Sequence, residues 1–422
     1  MSDTQKKKKR VAAIKGTHDI LPSQARKWQR VERTAKGLFE LYGYREIRTP
    51  IFEATELFEK GTGETSDIVM KEMYTFTDKG GRSLTLRPEY TPSIARAIIE
   101  HRLHLLPDPM RYYFIGPMFR YDKPQKGRYR QFHQMDVEVF NEKDPAVDAE
   151  IVEMAATLLE SVGVTGSEIL VNSVGCRACR PDYLHEMRAE AENSRSDLCP
   201  DCRRKIDTNP LRIFDCKVES CRAIAAGLPK ITDFLCEECE DHFGRFKGYL
   251  ALFALPYRVE PLLVRGLDYY TKTTFEFTST ELGAQDAILG GGRYDDMMGD
   301  FGGPDICGIG FALGMERLLL LVPDEDAVAP FVYVVWMGEE ARRAGMTAAR
   351  FLRRHGCEVW IEYKERSFKN QLSRANKLGA AWSVIIGEEE VRKGTFQLKD
   401  MASGEQQEKT LEELLSILRN SG

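Results

Sequence analysis

"FRYDKPQKGRYRQFHQMDVEVF" (Phe119–Phe140) is the stretch on which the fold turns. With "RYYFIGPMF" before it, it reads as two alternating strands joined by a basic loop containing Gly127, the signature of a long antiparallel hairpin. Arg120 stands at the end of the first strand and Arg128 lies in the loop. On the returning strand Gln134, Asp136 and Glu138 occupy alternate positions, so the period of two puts all three on one face. Such a polar triplet is costly in a core unless it lines a site. The residues alone leave a solvated sheet face as the other reading.

Upstream, "ARKWQRVERTAKGLFELY" (Ala25–Tyr42) carries apolar residues at helical spacing and is stopped by Gly43. "YREIRTPIFE" is extended and broken by Pro50, and "LTLRPEYTP" is a strand leading into the helix "SIARAIIEHRL". Downstream come the helix "DAEIVEMAATLLESVG", a polar interruption, and renewed strand signals in "RVEPLLVRGLDYYTKTTFEFTS" and "GIGFALGMERLLLLV". This is an α+β pattern, a mainly antiparallel sheet with flanking helices. "PDEDAVAP" (Pro323–Pro330) has the composition of a linker. Beyond it, strands and helices alternate as in a small α/β domain with a largely parallel sheet. The expected division is a main domain in two pieces, residues 1–175 and 246–322, an insertion at 176–245, a linker at 323–330 and a C-terminal domain at 331–422.

The insertion is marked by cysteine. Of the 10 in the chain, eight fall between residues 176 and 239, as the pairs Cys176/Cys179, Cys199/Cys202, Cys216/Cys221 and Cys236/Cys239. Without an export signal, such crowding argues for thiolates on a metal rather than disulfides. Cys176-x2-Cys179, 19 residues, then Cys199-x2-Cys202 has the spacing of a four-thiolate structural zinc site. The other four cysteines complete a second site, exchange partners with the first, or stay as reduced thiols.

At 422 residues the chain is long enough for two or three domains. No apolar run approaches the roughly 18 residues that cross a bilayer. "QKKKKR" (Gln5–Arg10) is not followed by the apolar core of a secretory signal, so the chain reads as cytoplasmic. A formal net charge of -5 excludes a global basic field. Contact with a polyanion must come from local patches, Lys6–Lys9 or "KPQKGRYRQ" at 123–131, the first of which also reads as a solvated tail.

Four arginines stand beside glycines or aromatic residues: Arg120, Arg128, Arg265 at the head of "RGLDYY", and Arg317, one helical turn after Gly314. Arginines converging with acids suit triphosphate chemistry, in which phosphates are clamped and carboxylates hold Mg2+.

The sequence resembles the class II aminoacyl-tRNA synthetases, and within them the bacterial-type histidyl-tRNA synthetase family, over nearly its full length. "YREIRTPIFE", "GPMFRYDKPQKGRYRQFHQ" and "GIGFALGMERL" are similar to the three class motifs, while "LVRGLDYYT" and "GGGRYDD" look like the two histidine-specific ones. The resemblance implies a class II antiparallel catalytic sheet, an anticodon-binding C-terminal domain, and a homodimer with Pro50 at the dimer-forming turn. It implies ATP with Mg2+, L-histidine and tRNA(His) as partners, with no membrane. It further implies that Arg120 holds the α-phosphate, Arg128 the triphosphate tail, and Arg317 the far phosphate and adenine. Glu89, Thr91 and Gln134 would take the amino group of histidine, and Arg120 also lies in that site. Glu138 would face the imidazole, walled by Tyr269, Tyr270 and Tyr294, and Arg265 would be the catalytic residue. The insertion would pack over the acceptor stem of tRNA. A helix carrying Arg350, Arg353 and Arg354 is a candidate for anticodon contact, with a solvated face as the alternative.

Chemically, neutral imidazole both donates and accepts, so a carboxylate and a phenol make a complementary pair for its two nitrogens. Two rivals are a synthetase-like regulatory subunit of histidine biosynthesis, expected to lack the C-terminal domain and the histidine motifs, and a zinc-ribbon nucleic-acid-binding protein, which leaves the arginines unexplained.

Overall fold

The computed structural model describes residues 11–63, 66–107, 109–283, 286–324 and 331–420. Two compact units result, Met1–Pro323 and Asp324–Gly422. The lysine run at 6–9 and residues 325–330 of the expected linker lie outside the described residues. No helix of the described residues is long and apolar enough to cross a membrane.

In the first unit the order is α1 (Pro22–Leu41), β1 (Arg45–Glu46), β2 (Phe52–Ala54), α2 (Thr55–Thr62), β3 (Tyr74–Thr77), β4 (Ser83–Leu86), α3 (Thr91–Glu100), β5 (Arg111–Phe119), β6 (Gln131–Phe140), α4 (Pro145–Ser161) and β7 (Glu168–Ser173). The cysteine-rich block follows with α5 (Arg180–Asn193), α6 (Pro200–Thr208), α7 (Glu219–Gly227) and α8 (Glu237–Leu252). Then come β8 (Arg258–Val259), β9 (Thr271–Thr278), β10 (Ala287–Arg293), α9 (Met297–Asp300), β11 (Gly308–Gly314) and α10 (Met315–Leu321). Helix α1 starts on a proline, buries Trp28, Val31, Ala35 and Phe39 along one stripe, and ends before Gly43, whose φ of 80° suits glycine.

The main sheet has 8 strands in the order β1-β5-β6-β11-β10-β9-β7-β8. Its interior pairs are antiparallel, and the short edge strands β1 and β8 pair parallel. Strands β2, β4 and β3 form a separate antiparallel sheet. Alternation gives the main sheet two unlike faces. Met135, Val137, Val139, Phe275, Phe277, Ile309 and Phe311 pack against Phe39, Leu158 and Phe246 from the helices in one apolar core. Each such side chain stabilises the fold by about 1.5–3 kcal/mol on burial. A one-residue slip of β6 would turn its apolar set away from that core, which holds Gln134, Asp136 and Glu138 on the opposite face.

The cysteine-rich block has a small core of its own, including Tyr183, Met187, Leu198, Ile206 and Ile213.

The second unit runs β12 (Val332–Trp336), α11 (Glu339–Arg354), β13 (Val359–Ile361), α12 (Phe368–Lys377), β14 (Trp382–Ile386), α13 (Glu388–Lys393), β15 (Phe396–Asp400), β16 (Gln406–Lys409) and α14 (Leu411–Asn420). Its sheet, β13-β12-β14-β15-β16, corrects the expectation of a largely parallel one. The pairs β12–β13 and β12–β14 are parallel, while β14–β15 and β15–β16 are antiparallel. The chain between Ile386 and Phe396 is too short for a parallel crossover, which takes about a dozen residues or more.

Candidate functional site

The polar face of the main sheet is not solvated. Gln134, Asp136 and Glu138 are 8%, 2% and 2% exposed and form part of the wall of a hollow of about 300 Å³. Every pocket residue expected from the sequence lines it: Glu89 and Thr91 at the start of α3, Arg120 and Arg128 from the hairpin, Gln134 and Glu138 on β6, Arg265, Tyr269 and Tyr270 before β9, Tyr294 after β10, and Arg317 on α10.

The acids are held by hydroxyls. Glu138 accepts from Thr91 Oγ1 at 2.5 Å and from the Tyr294 hydroxyl. Glu89 accepts from Thr62 Oγ1 and, at 3.0 Å, from the Tyr269 hydroxyl. Asp136 Oδ1 and Gln134 Oε1 are buried with no hydrogen-bond partner among the described residues. Unsatisfied buried acceptors that face a hollow suit a ligand rich in N–H groups. Burial pushes Glu138 up to about 8 despite its two hydroxyl donors, and it raises Glu89 as well. Asp136 is raised well above the ordinary carboxylate range by burial and by the nearby Glu138 and Glu89. Tyr269 packs 4.7 Å from Tyr270 and edge-on, 5.6 Å, to Tyr294, closing an aromatic wall.

The arginines are positioned by the backbone and by acids. Arg120 donates from Nε to the Pro88 carbonyl at 2.8 Å and lies over Phe132. Arg128 pairs with Asp122, Arg265 pairs with Glu276, and Arg317 donates to the Ala287 carbonyl at 2.9 Å. Burial, then the charges of Arg128, Arg120 and Arg265, lower the pKa of Arg317. Four arginines facing one hollow suit a polyanion.

Glycines make the room. A Cβ on Gly290 would overlap the guanidinium of Arg265, on Gly308 the ring of Tyr294, and on Gly310 the carboxylate of Glu138. The glycine run in "GIGFALG" therefore admits the side chains of Glu138 from β6 and of Tyr294 just past β10. Gly314 has nothing within 4 Å of such a Cβ.

The "RGLDYY" segment precedes the strand, which starts at Thr271. Lys272 has φ 48°, and the β9–β10 register shifts there, so a bulge turns the preceding residues toward the hollow. Tyr90, beside Glu89, stacks on Phe114, accepts from the Thr49 N–H at 2.8 Å and donates to the Ile47 carbonyl at 2.9 Å, bracing the segment before Pro50.

Sequence reasoning missed several contributors. Glu276 was signalled by alternation, since its neighbours Phe275 and Phe277 face the core. Thr62 carried no signal. In "GGGRYDD", Tyr294 lines the hollow while Arg293 pairs with Asp148 inside the protein, both nearly unexposed, and His242 meets Asp148 at 2.8 Å.

The cysteines correct one expectation. Cys176 and Cys179 gather with Cys236 and Cys239, and Cys199 and Cys202 gather with Cys216 and Cys221, the sulfurs of each group lying within 4.8 Å of one another. One site from Cys176, Cys179, Cys199 and Cys202 is not what forms. Spacing defines the pairs, but the packing of α5 to α8 decides which pairs meet. In the second unit Arg350, Arg353 and Arg354 are exposed on α11, and Arg353 is engaged with the Val359 carbonyl at 2.9 and 2.6 Å. Beside it lie Trp360, Tyr363 and Arg374, which the sequence reading had passed over.

A mainly antiparallel sheet presenting clustered arginines and buried carboxylates to one hollow places the chain among the class II aminoacyl-tRNA synthetases. The sequence pattern described as "Histidyl-tRNA synthetase" matches residues 16–178 and 212–318, and "Anticodon binding domain" matches 331–421. The chain is 49% identical over 414 residues to a histidine–tRNA ligase of Halothermothrix orenii, covering 97% of this chain and 99% of that one. It is 49% identical over 401 residues to the ligase of Natranaerobius thermophilus, covering 93% and 95%. Its fold matches the crystal structure of apo S. aureus histidyl-tRNA synthetase with a TM-score of 0.82 at 36% identity, over 97% and 100% of the two chains. The chain belongs to the histidyl-tRNA synthetase family.

Proposed function

We propose that the chain attaches L-histidine to tRNA(His) in two steps. The histidine carboxylate attacks the α-phosphorus of ATP. The new C–O–P bond forms as the Pα–O bond to pyrophosphate breaks, and the resulting histidyl-adenylate acylates the terminal ribose of tRNA, releasing AMP. The observation that carries this reading is Glu138, sealed between Thr91 and Tyr294 in the hollow that Arg120, Arg128, Arg265 and Arg317 also line. A carboxyl beside a phenol can satisfy both imidazole nitrogens. A site built on such bonds rejects side chains lacking them, because its own buried groups would be left unpaired.

The attacking carboxylate is already ionised, so the first step needs neutralisation at phosphorus more than a base. Arg120 and Arg265 supply it, with Arg265 oriented by Glu276. Arg128 and Arg317 take the departing phosphates, and Glu89, Thr91 and Gln134 take the amino group. Mg2+ bound with ATP would neutralise phosphate charge. The acids lining the hollow include Asp122 and Glu316, oxygen donors of the type this ion takes.

Residues 331–422 form the anticodon-binding part, with Arg350 and Arg354 and the Trp360–Tyr363 hollow as its contact surface, and residues 176–245 lie over the acceptor stem. A homodimer through the segment at Pro50 is supported by exposed Ile51, Phe52 and Phe76. The reaction belongs in the cytoplasm.

The test is histidine-dependent exchange of pyrophosphate into ATP. Arg265→Ala should lower it by about 10²–10³-fold, the scale of removing one transition-state donor, with thermal stability retained. Exchange near the parent rate would remove Arg265 from its role.

A further inference from the structure

The eight clustered cysteines lie outside the hollow, and their geometry is specific. Cys176 Sγ is 3.6 Å from Cys179 Sγ and 3.9 Å from Cys236 Sγ, and Cys199 Sγ is 3.9 Å from Cys216 Sγ. Four thiolates about 2.3 Å from a tetrahedral zinc stand about 3.8 Å apart along each edge. All eight are free thiols, not disulfides. A [4Fe–4S] cluster, with each cysteine on a different iron, or a [2Fe–2S] cluster, with two cysteines on each of two irons, would spread the four sulfurs further.

Backbone N–H groups point at these sulfurs. Cys236 N–H reaches Cys179 Sγ at 3.1 Å and Ala178 N–H reaches Cys176 Sγ at 3.3 Å. Cys199 N–H reaches Cys221 Sγ at 3.2 Å and Cys202 N–H reaches Cys199 Sγ at 3.4 Å. Donors aimed at sulfur favour the thiolate that a metal needs. Cys179, Cys199 and Cys236 each stand at the head of a helix, α5, α6 and α8, where the helix dipole acts in the same sense. The apolar core around them is small, and modules under about 70–80 residues are commonly stapled by metal or disulfide.

We propose that the block binds two separate structural zinc ions, one on Cys176, Cys179, Cys236 and Cys239 and one on Cys199, Cys202, Cys216 and Cys221, and that the module so clasped positions the Arg265–Tyr270 loop. Each site lies a few residues from a side chain that grips this loop. Arg180, next to Cys179, donates from Nη2 to the Tyr270 carbonyl and from Nε to the Val174 carbonyl at 3.2 Å. Arg212, between Cys202 and Cys216, donates from Nη2 to the Gly266 carbonyl at 2.7 Å and to Asp268 Oδ1 at 3.1 Å. Asn209 adds a bond to the same Asp268 oxygen at 2.8 Å. Residues 265–270 form no helix or strand, so these anchors set where Arg265 and the tyrosines stand. Arg180 and Arg212 are positioning residues. The loop's role in binding histidine rests on the function proposed above, whereas the metal sites do not.

Metal analysis of the purified full chain tests the sites. Zinc close to two per chain is expected; one or fewer, or iron in its place, overturns the assignment. Cobalt(II) exchanged into the protein should give the intense visible bands of a tetrahedral thiolate site. Cys221→Ser should lose one zinc and keep the other. Arg212→Ala reads the coupling without touching a ligand: both zinc ions stay bound and the chain stays folded, while KM for histidine in pyrophosphate exchange rises about tenfold, one charge-assisted hydrogen bond's worth. Arg212→Lys, able to keep one of the two contacts, should recover part of it. An unchanged KM in Arg212→Ala overturns the positioning role. A chain that holds two zinc ions but exchanges no pyrophosphate refutes the reaction and leaves the metal sites standing.

Discussion

Replacing Gly290 by alanine adds one methyl group at the place where Arg265 depends on its absence. In β10, Gly290 pairs with Glu276 on one side and Ala312 on the other. The new Cβ would overlap the guanidinium of Arg265, which must retreat by more than about 1 Å to reach ordinary contact distance. The sheet itself tolerates the change. Gly290 has no left-handed φ, and the clash is with the tip of a flexible side chain rather than with backbone. A catalytic group displaced by 1 Å can cost about 10²-fold in rate, or about 2.7 kcal/mol of transition-state stabilisation. Gly290→Ala should therefore lose most histidine-dependent pyrophosphate exchange while its thermal midpoint moves little. Gly291→Ala is the contrast, since its Cβ would run into the backbone carbonyl of Gly310, and it should lower stability first. If Gly290→Ala folds normally and exchanges within about threefold of the parent, Arg265 does not act from the position described.

Glu138→Gln should lower kcat/KM for histidine by about tenfold, the scale of one buried hydrogen bond; an unchanged value would remove Glu138 from the imidazole site. The same variant tests a pH effect. In the empty fold Glu138 keeps its proton up to about 8, whereas in the unfolded chain it releases it near its ordinary value of about 4.3. Its contribution to stability is then full below that lower value and is lost as pH rises through 8. Glutamine should make the fall in stability between pH 5 and 8 shallower, by up to about 1.4 kcal/mol per pH unit. The remaining fall has the same sign, because Glu89 and Asp136 are also raised by burial. Identical slopes by thermal unfolding would contradict this. Arg293→Ala leaves the Asp148 carboxylate buried with the His242 ring beside it and should cost about 3–5 kcal/mol in denaturant unfolding; less than about 1 kcal/mol would mean the pair is not sealed from water. Arg317→Ala should raise KM for ATP about tenfold, and an unchanged KM would place the phosphates elsewhere.

The hairpin was legible because a period of two is rigid: once Gln134, Asp136 and Glu138 alternate, they share a face whatever lies opposite. The pocket residues were legible through motifs, which carry residue types and spacing. Glu276 was within reach of the same alternation and was missed because "TKTTFEF" reads as plain sheet. Thr62 was not within reach, since its bond to Glu89 joins segments 27 residues apart and depends on how α2 packs. The C-terminal sheet was read as more parallel than it is, although the short connection before β15 argues for the reversal.

Local chemistry determined by the sequence alone thus includes the strands and helices, the polar face of β6, the arginine set, and the pairing of cysteines into near neighbours. All of these follow from periodicity and from contacts a few residues apart. The tertiary structure decided which groups meet across long separations. It joined Cys176 to Cys236 rather than Cys199, hollowed Gly290 and Gly310 for Arg265 and Glu138, and set Arg212 against the loop at Gly266. Such meetings depend on how whole elements pack, and packing is a property of buried area and shape that no spacing along the chain encodes.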